Sequence, residues 1–381
     1  MKILIVGAGI AGLSTARALA LKGLECDVIE RRQEPPTEGA GIFLLGNASR
    51  ALGDLGLLDE TRSLAYPIAT QRILSSSGAV LNHVRTDDVW KNCGPCLALS
   101  RQSLVDVLQK SLDPGAVRYG LEVTSIASRA DRRIVRFSDG REEKYDLVIG
   151  AAGVNSLLRN MAFGADEARE VGISCWRLVV PNNGEIVGWT AMLGKGRTLL
   201  GIPISKSETY IYADCGTDEF GDGSLATLKR LFCDFRGPLG AVVAALDPET
   251  RIHRAKLQEV PAKRWIKDGL ILIGDAGHAS SPSMAQGAGM AIEDAIVLAE
   301  MLSRPGQIEE ALQRFHDARI ERIAWVQKKS QDRDKLRNSS RALRNAVLRL
   351  FGNALYRKTY APLTRALLPP SSGSRTSEAE R

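Results

Sequence analysis

A short apolar run, Lys2–Val6 (KILIV), ends on Gly7-x-Gly9-x-x-Gly12, and this junction restricts the chain more than any other stretch. β-Branched residues in an unbroken run read as a strand buried on both faces. Leu13, Ala16, Leu19 and Ala20 then recur at helical spacing until Lys22-Gly23 stops the helix. Cys26–Glu30 (CDVIE) is the next strand. Glycines between strand and helix allow a tight turn, close approach of backbone to a pyrophosphate, and close packing of helix on strand. The free N–H groups of the helix's first turn then point at the phosphates. Glu30 lies 18 residues after Gly12, where a carboxylate accepts from both ribose hydroxyls and repels a 2′-phosphate. The unit is a dinucleotide site, for FAD or NAD rather than NADP.

At 381 residues the chain exceeds one ordinary core. Helices are expected over Asn47–Leu58 and Ser100–Leu112, and strands over Val117–Ile126, Arg132–Phe137 and Tyr145–Ile149. Arg32–Glu38 is Pro-rich and polar, a loop. From Gly172 to Val260, strands alternate with Gly/Pro/Asn turns, with one helix near Leu225–Phe235. This reads as an antiparallel layer inserted into an α/β body. Leu270–Gly274 (LILIG) returns to a buried strand, Ala288–Ser303 is a long helix, and helices continue from Gln307 to about Leu368.

The formal net charge of +7 is unevenly placed. Between Arg314 and Arg365 there are 14 Lys/Arg against 4 Asp/Glu, a local +10 that leaves −3 for the remainder. Basicity confined to C-terminal helices argues against a nucleic-acid cleft in the body. The apolar stretches are too short to span a bilayer, and no cleavage pattern follows the N-terminal run, so a cytoplasmic protein is expected. Six cysteines in a chain this long make no disulfide scaffold, and no spacing suggests a metal site.

A second motif follows the strand Leu270–Gly274. Asp275 stands where parallel strands present ligands-binding groups, at a C-terminal strand end. The loop from Ala276 to Gly287 is rich in Gly, Ser and Pro, and the helix beyond it would aim its N-terminal amides at a flavin's pyrimidine ring, where negative charge gathers on reduction.

Taken in order, Gly7–Gly12 with Glu30, Arg101 at the head of a helix, Ala152-Gly153-x-x-Ser156-x-x-Arg159, and Gly274-Asp275…Pro282…Gly287 resemble the flavoprotein aromatic hydroxylases of the para-hydroxybenzoate hydroxylase type. The resemblance covers roughly residues 1–330. Cys175–Pro181 (CWRLVVP) is similar to a stretch of alkylquinolone hydroxylases, and salicylate hydroxylases are further relatives of the same kind. The resemblance implies an α/β fold with a Rossmann-type FAD-binding domain (1–65, 100–170 and 263–330) and an inserted antiparallel β-sheet substrate domain (66–99 and 171–262); charge and composition add C-terminal basic helices (331–368) and a disordered tail (369–381). It implies one non-covalent FAD, reduction by NADH or NADPH, and transfer of oxygen from O2 to an aromatic or heteroaromatic small molecule through a flavin C4a-hydroperoxide. Carried over by residue, Gly7, Gly9, Ala11 and Gly12 cradle the pyrophosphate, Glu30 holds the adenosine ribose and Arg31 lies beside the adenosine. Arg101 reaches the pyrophosphate or ribityl chain, Val123 meets adenine through its backbone, Asp275 binds the ribityl chain, and Pro282, Gly287, Ala288 and Met290 line the isoalloxazine.

One residue departs from the family. Ala152 stands where the middle motif has Asp, a residue the family uses in handling FAD and NAD(P)H. Two alternatives therefore stay beside the monooxygenase reading: an FAD-dependent oxidase, dehydrogenase or indirectly reduced monooxygenase, and, more remotely, a flavin-binding sensor without catalysis.

The catalytic candidates are His278 in the flavin loop, Tyr210 and Tyr212 on one face of a strand, Arg177 on the opposite face from Trp176, and Pro282. Each has a plainer reading: His278 as a loop anchor, the tyrosines as sheet aromatics. Cys93-Gly-Pro-Cys96 copies a redox-pair spacing but precedes a strand instead of opening a helix, which favours a turn with two thiols. Leu343, Ala346, Val347, Leu350 and Ala354 recur at helical spacing with Arg341, Arg344 and Arg349 off the stripe. A core-facing stripe is the expectation; the alternative is a basic amphipathic helix at a membrane surface.

Overall fold

The computed structural model describes residues 1–34, 40–129, 132–164 and 168–368. The expected disordered tail, 369–381, and most of the Pro-rich loop lie outside these residues. Ile3–Val6 runs through the middle of a six-stranded sheet. Leu147–Gly150 and Cys26–Glu30 flank it in parallel, followed outward by Leu270–Leu272 on one side and Val117–Tyr119 on the other. Only the edge strand Ile266–Lys267 is antiparallel. Successive side chains of these strands alternate between two cores. Ile3, Ile5, Leu147 and Ile149 pack with the helices Ile10–Leu21 and Gly287–Ser303. Leu4, Ile29 and Val148 pack beneath a three-stranded antiparallel sheet of Val123–Arg129, Arg132–Phe137 and Glu142–Tyr145. Burial on both faces is why these strands carry unbroken apolar runs.

The second large sheet has seven strands, in the order His253–Glu259, Arg169–Pro181, Glu208–Gly216, Thr198–Pro203, Trp189–Leu193, Thr70–Ser75, Val80–Arg85. It is antiparallel except where Trp189–Leu193 meets Thr70–Ser75 in parallel, which corrects the purely antiparallel expectation. One face carries Trp176, Leu178, Ile211 and Leu199 against the helices Leu225–Leu231 and Pro238–Ala245. Trp176 is fully buried there, its Nε1 donating to the Gly223 carbonyl at 2.7 Å. The other face carries Ile173, Cys175, Tyr210, Tyr212 and Ile202 and joins the core of the nucleotide-binding layer. Period-2 alternation thus sends Arg177, one residue from Trp176, to the nucleotide side.

Several expected elements divide. Asn47–Leu58 is two helices, Gly46–Asp54 and Leu58–Leu64, broken at Gly56. Val117–Ile126 is two strands in different sheets, because Gly120 takes a positive φ of 71° between them. The region of the single expected helix near Leu225–Phe235 also holds Thr217–Phe220 and Pro238–Ala245. The C-terminal region is one helix, Ile308–Leu336, and a second, Arg341–Thr364. The first runs without a break through the expected boundary at 330/331, and a small sheet of Gly41–Leu44, Leu97–Ser100 and Tyr66–Pro67 bridges the one expected at 65/66.

The stripe on the last helix does not face the core. Leu343 is 65% exposed and Leu350 74%. The buried face is instead Gly352, Tyr356, Tyr360 and Leu363, seated on Val80–Arg85 and the helix Asp87–Trp90.

Candidate active site

Three loops leave the C-terminal ends of adjacent parallel strands: Gly7–Gly12, Ala151–Gly153 and Gly274–Asp275. In the first, the Gly7 amide donates to the Ile29 carbonyl at 2.8 Å, and a Cβ on Gly12 would collide with the Gly7 carbonyl oxygen. Helix Ile10–Leu21 begins with no side-chain cap at Gly9, so its first-turn amides are open to a ligand. Space beside Gly9 is likewise open: no heavy atom lies within 4 Å of where a Cβ would be. Glu30 is held by the amides of Ala8 (3.0 Å) and Arg32 (3.1 Å), which fix the carboxylate at the mouth of the loop.

Gly274 brings the distant motif to the first. It takes a positive φ of 55°, and a Cβ there would stand 3.0 Å from the Ala11 Cβ and 3.3 Å from the Ala291 Cβ. The strand end therefore wedges between the two long helices, and Asp275 opens a one-turn helix beside Gly287, whose added Cβ would lie 3.6 Å from Asp275 Oδ1. Ala152 of the middle motif adjoins the same point, its Cα 3.0 Å from a Cβ on Gly7. Arg101 is exposed at the head of its helix yet crowded by surrounding protein. That crowding holds its guanidinium below the ordinary value, with Arg177 and Arg32 adding to the effect and Asp275 opposing it. Asp275 and Arg177 thus both lie within electrostatic reach of Arg101. The open helix terminus, the absent Cβ atoms and the fixed Glu30 carboxylate form a cradle that suits FAD.

Other predicted residues fall as follows. Arg31 is exposed and 3.9 Å from Glu122; Val123 is buried beside the strand carrying Glu30. Pro282 opens a 3-10 turn, Pro282–Met284. Gly287 and Ala288 open the helix Gly287–Ser303 with no side-chain cap at Gln286. Met290 turns its sulfur to Arg319 Nη2, at 3.6 Å. His278 is buried, its Nε2 2.6 Å from Asp294 Oδ2 and its ring 5.5 Å from that of Trp265, as a loop anchor would be. Cys93 and Cys96 lie in a turn, both thiols pushed above the ordinary value by burial first, which disfavours a reactive thiolate.

On the sheet above, Arg177 lies opposite Tyr212 in register, and Cys175 opposite Asp214. Burial pushes the Asp214 carboxyl up, against the pull of Arg337. Its oxygens are committed: Oδ1 to Arg337 Nη2 (2.8 Å) and the Thr198 amide (3.0 Å), Oδ2 to the Tyr212 hydroxyl (2.9 Å). The Nε of Arg177 is buried without a hydrogen-bond partner.

Sequence reasoning missed the support behind the flavin loop. Arg319 Nη1 meets Glu293 Oε2 at 2.8 Å and its Nε meets Asp294 Oδ1 at 2.9 Å, all three side chains at 1% exposure or less. Arg322 adds contacts to Glu293 at 2.6 and 2.8 Å. Asn47 ties Glu293 to Gln286, at 2.9 Å each. The available signal was Arg319 itself, a charge in the core stripe Leu312, Phe315, Ile323 and Val326.

Fold and cradle together define a flavoprotein with a second, mostly antiparallel sheet laid over a Rossmann-type nucleotide site. Residues 1–330 match the family described as FAD binding domain, and the chain belongs to it. The 2-heptyl-3-hydroxy-4(1H)-quinolone synthase of Pseudomonas aeruginosa is 34% identical over 378 residues, covering 95% of this chain and 97% of that one. The FAD-dependent urate hydroxylase of Klebsiella pneumoniae is 30% identical over 345 residues, covering 87% and 89%. The crystal structure of Klebsiella pneumoniae HpxO complexed with FAD and uric acid superimposes with a TM-score of 0.88 at 27% identity, covering 97% and 98%. The chain is an FAD-dependent monooxygenase. No helix among the described residues is long and apolar enough to cross a membrane.

Proposed function

We propose that this enzyme hydroxylates a fused nitrogen heteroaromatic ring that bears a carbonyl or hydroxyl oxygen, with Arg177 as the ligand of that oxygen. The observation that carries the reading is the Nε of Arg177, buried on this face with no hydrogen-bond partner. Asp214, on the same sheet face, is already shared among Arg337, Tyr212 and Thr198, so the Arg177 Nε is left for an anion from outside the chain. Around it, Ile173, Ile202, Tyr210 and Tyr212 present a flat, mainly apolar floor, the lining that a planar ring fills best. A 4(1H)-quinolone and urate, named for two relatives, are both fused nitrogen heterocycles with ring carbonyls.

Bound FAD supplies the electrons and activates O2 for attack on the ring. The protein positions and polarises. Gly7, Gly9, Ala11 and Gly12 would offer backbone to the pyrophosphate, Glu30 would accept from the ribose, Arg101 and Asp275 would hold the ribityl region, and the open amides at Gly287–Ala288 would serve the pyrimidine ring. Arg177 stabilises the deprotonated form of the substrate's ring oxygen, whose proton passes to water; that oxyanion donates electron density into the ring that accepts the oxygen atom. NADH or NADPH is the reductant, and a lipid surface met through the C-terminal helix belongs to the same reading.

Arg177→Leu tests it. Loss of one charge-assisted contact, about 1.5–3 kcal/mol, should weaken ring binding about 10- to 100-fold, measured by equilibrium dialysis of a 4-quinolone or oxypurine probe against the FAD-loaded enzyme, with flavin content unchanged. Equal binding by the variant would remove Arg177 from the site.

A further inference from the structure

We infer that the outward face of the helix Arg341–Thr364 is a docking surface for an anionic lipid bilayer. The inference deepens the partner reading above but stands apart from the catalytic one. The opposite side of the helix is committed to the body of the protein. A Cβ on Gly352 would collide with the Asn82 side chain, and the Tyr356 hydroxyl accepts from Gln71 Nε2 (2.9 Å) and Trp90 Nε1 (3.0 Å). With that side locked down, Leu343, Val347, Leu350, Phe351 and Leu355 lie in solvent, 65%, 37%, 74%, 57% and 43% exposed. Their spacing of three and four places them along one side of a rod about 36 Å long, at 1.5 Å per residue. A contiguous exposed apolar stripe on a soluble fold marks a contact surface.

Charge selects the occupant. Residues 341–365 contain six Lys/Arg and no Asp/Glu. Arg341, Arg349, Arg357 and Lys358 are exposed around the stripe. Asp88, on the neighbouring short helix, is 3.4 Å from Arg357. A second copy of the chain would set the four exposed cations Arg341, Arg349, Arg357 and Lys358 against the same four in a symmetric contact, which is repulsive. A bilayer with anionic headgroups takes both features at once: leucines and phenylalanine enter the acyl boundary while the long basic side chains reach the phosphates. The opposite side of the same helix touches the flavin loop, since the Tyr360 hydroxyl accepts from Arg333, which also donates to the Ser283 carbonyl at 2.7 Å. A lipid-dissolved substrate would thus be collected next to the site that uses it.

The test is flotation of the full FAD-loaded chain with vesicles of phosphatidylcholine alone and of phosphatidylcholine with phosphatidylglycerol. Wild type should float with the mixed vesicles and much less with the neutral ones. The triple substitution Leu343→Ser, Leu350→Ser, Phe351→Ser touches only exposed side chains, so flavin content and turnover of a water-soluble ring probe should stay at wild-type level while vesicle binding falls at least tenfold. The set Arg341→Glu, Arg349→Glu, Lys358→Glu should lose binding too, at roughly fivefold per charge removed. Equal flotation on neutral vesicles, no flotation at all, or undiminished binding by the triple variant each overturns the proposal. So does a wild-type dimer, seen by light scattering, that the triple variant splits. Because turnover is scored separately, failure here leaves the Arg177 reading standing, and the reverse holds.

Discussion

Replacing Arg319 with leucine attacks the flavin loop from behind. The guanidinium meets Glu293, Asp294 and the Met290 carbonyl at 2.8, 2.9 and 3.3 Å, and all of it is out of water. Removing one partner of a buried ion pair costs about 3–5 kcal/mol, because the charge left behind is unpaired. The lower end applies here: Glu293 keeps Arg322, and Asp294 keeps His278 at 2.6 Å and the Gly274 amide at 2.9 Å. A loss of about 3 kcal/mol corresponds to a fall in Tm of about 6 °C, at roughly 2 °C per kcal/mol for a chain of this size. The pH dependence should change as well. Burial pushes the Asp294 carboxyl up, but His278 and Arg319 outweigh it and hold it below its ordinary value. A lowered carboxyl contributes stability that is present above its unfolded value, about 3.9, and is lost as pH falls through the folded value. Without Arg319 the folded value rises, so the contribution shrinks and is lost at higher pH. Thermal melts of FAD-loaded enzyme from pH 7 down to acid unfolding should show both shifts, with Arg319→Lys partly restoring them. An unchanged Tm together with an unchanged acid transition in Arg319→Leu would refute the assignment of this cluster as the loop's support.

Glu30→Ala and Asp275→Ala should each weaken FAD retention by about 1.5–3 kcal/mol, the worth of a hydrogen bond to a charged group; variants that purify with full flavin and unchanged FAD dissociation would take these carboxylates out of the cradle. Ala152 is exposed beside the glycine loop, so Ala152→Asp fits without a clash. It should speed flavin reduction by NADH or NADPH in anaerobic stopped flow, and an unchanged rate would mean that electrons reach the flavin without a carboxylate at this position.

The nucleotide half of the molecule was legible because its signals are local. A buried parallel strand must be apolar on both faces, and a helix terminus facing phosphates must begin on glycine; both requirements fall on consecutive residues, Lys2–Gly12 and Leu270–Gly287. Three matters were decided only by packing. The choice of face for Arg177 depends on which side of its sheet the helices Leu225–Leu231 and Pro238–Ala245 cover, since alternation separates Trp176 from Arg177 but does not orient the pair. Pairing of Arg319 with Glu293 and Asp294 joins two helices, and a lone arginine in an apolar stripe does not name its partners. The last helix carries two faces able to pack, one of leucines and one of Gly352, Tyr356 and Tyr360. Periodicity alone favoured the leucines for the core. The strand Val80–Arg85, more than 250 residues earlier, brings the Asn82 side chain up against Gly352 and sits beside Gln71 and Trp90, the two donors that hold the Tyr356 hydroxyl, and that complementarity turned the leucines outward.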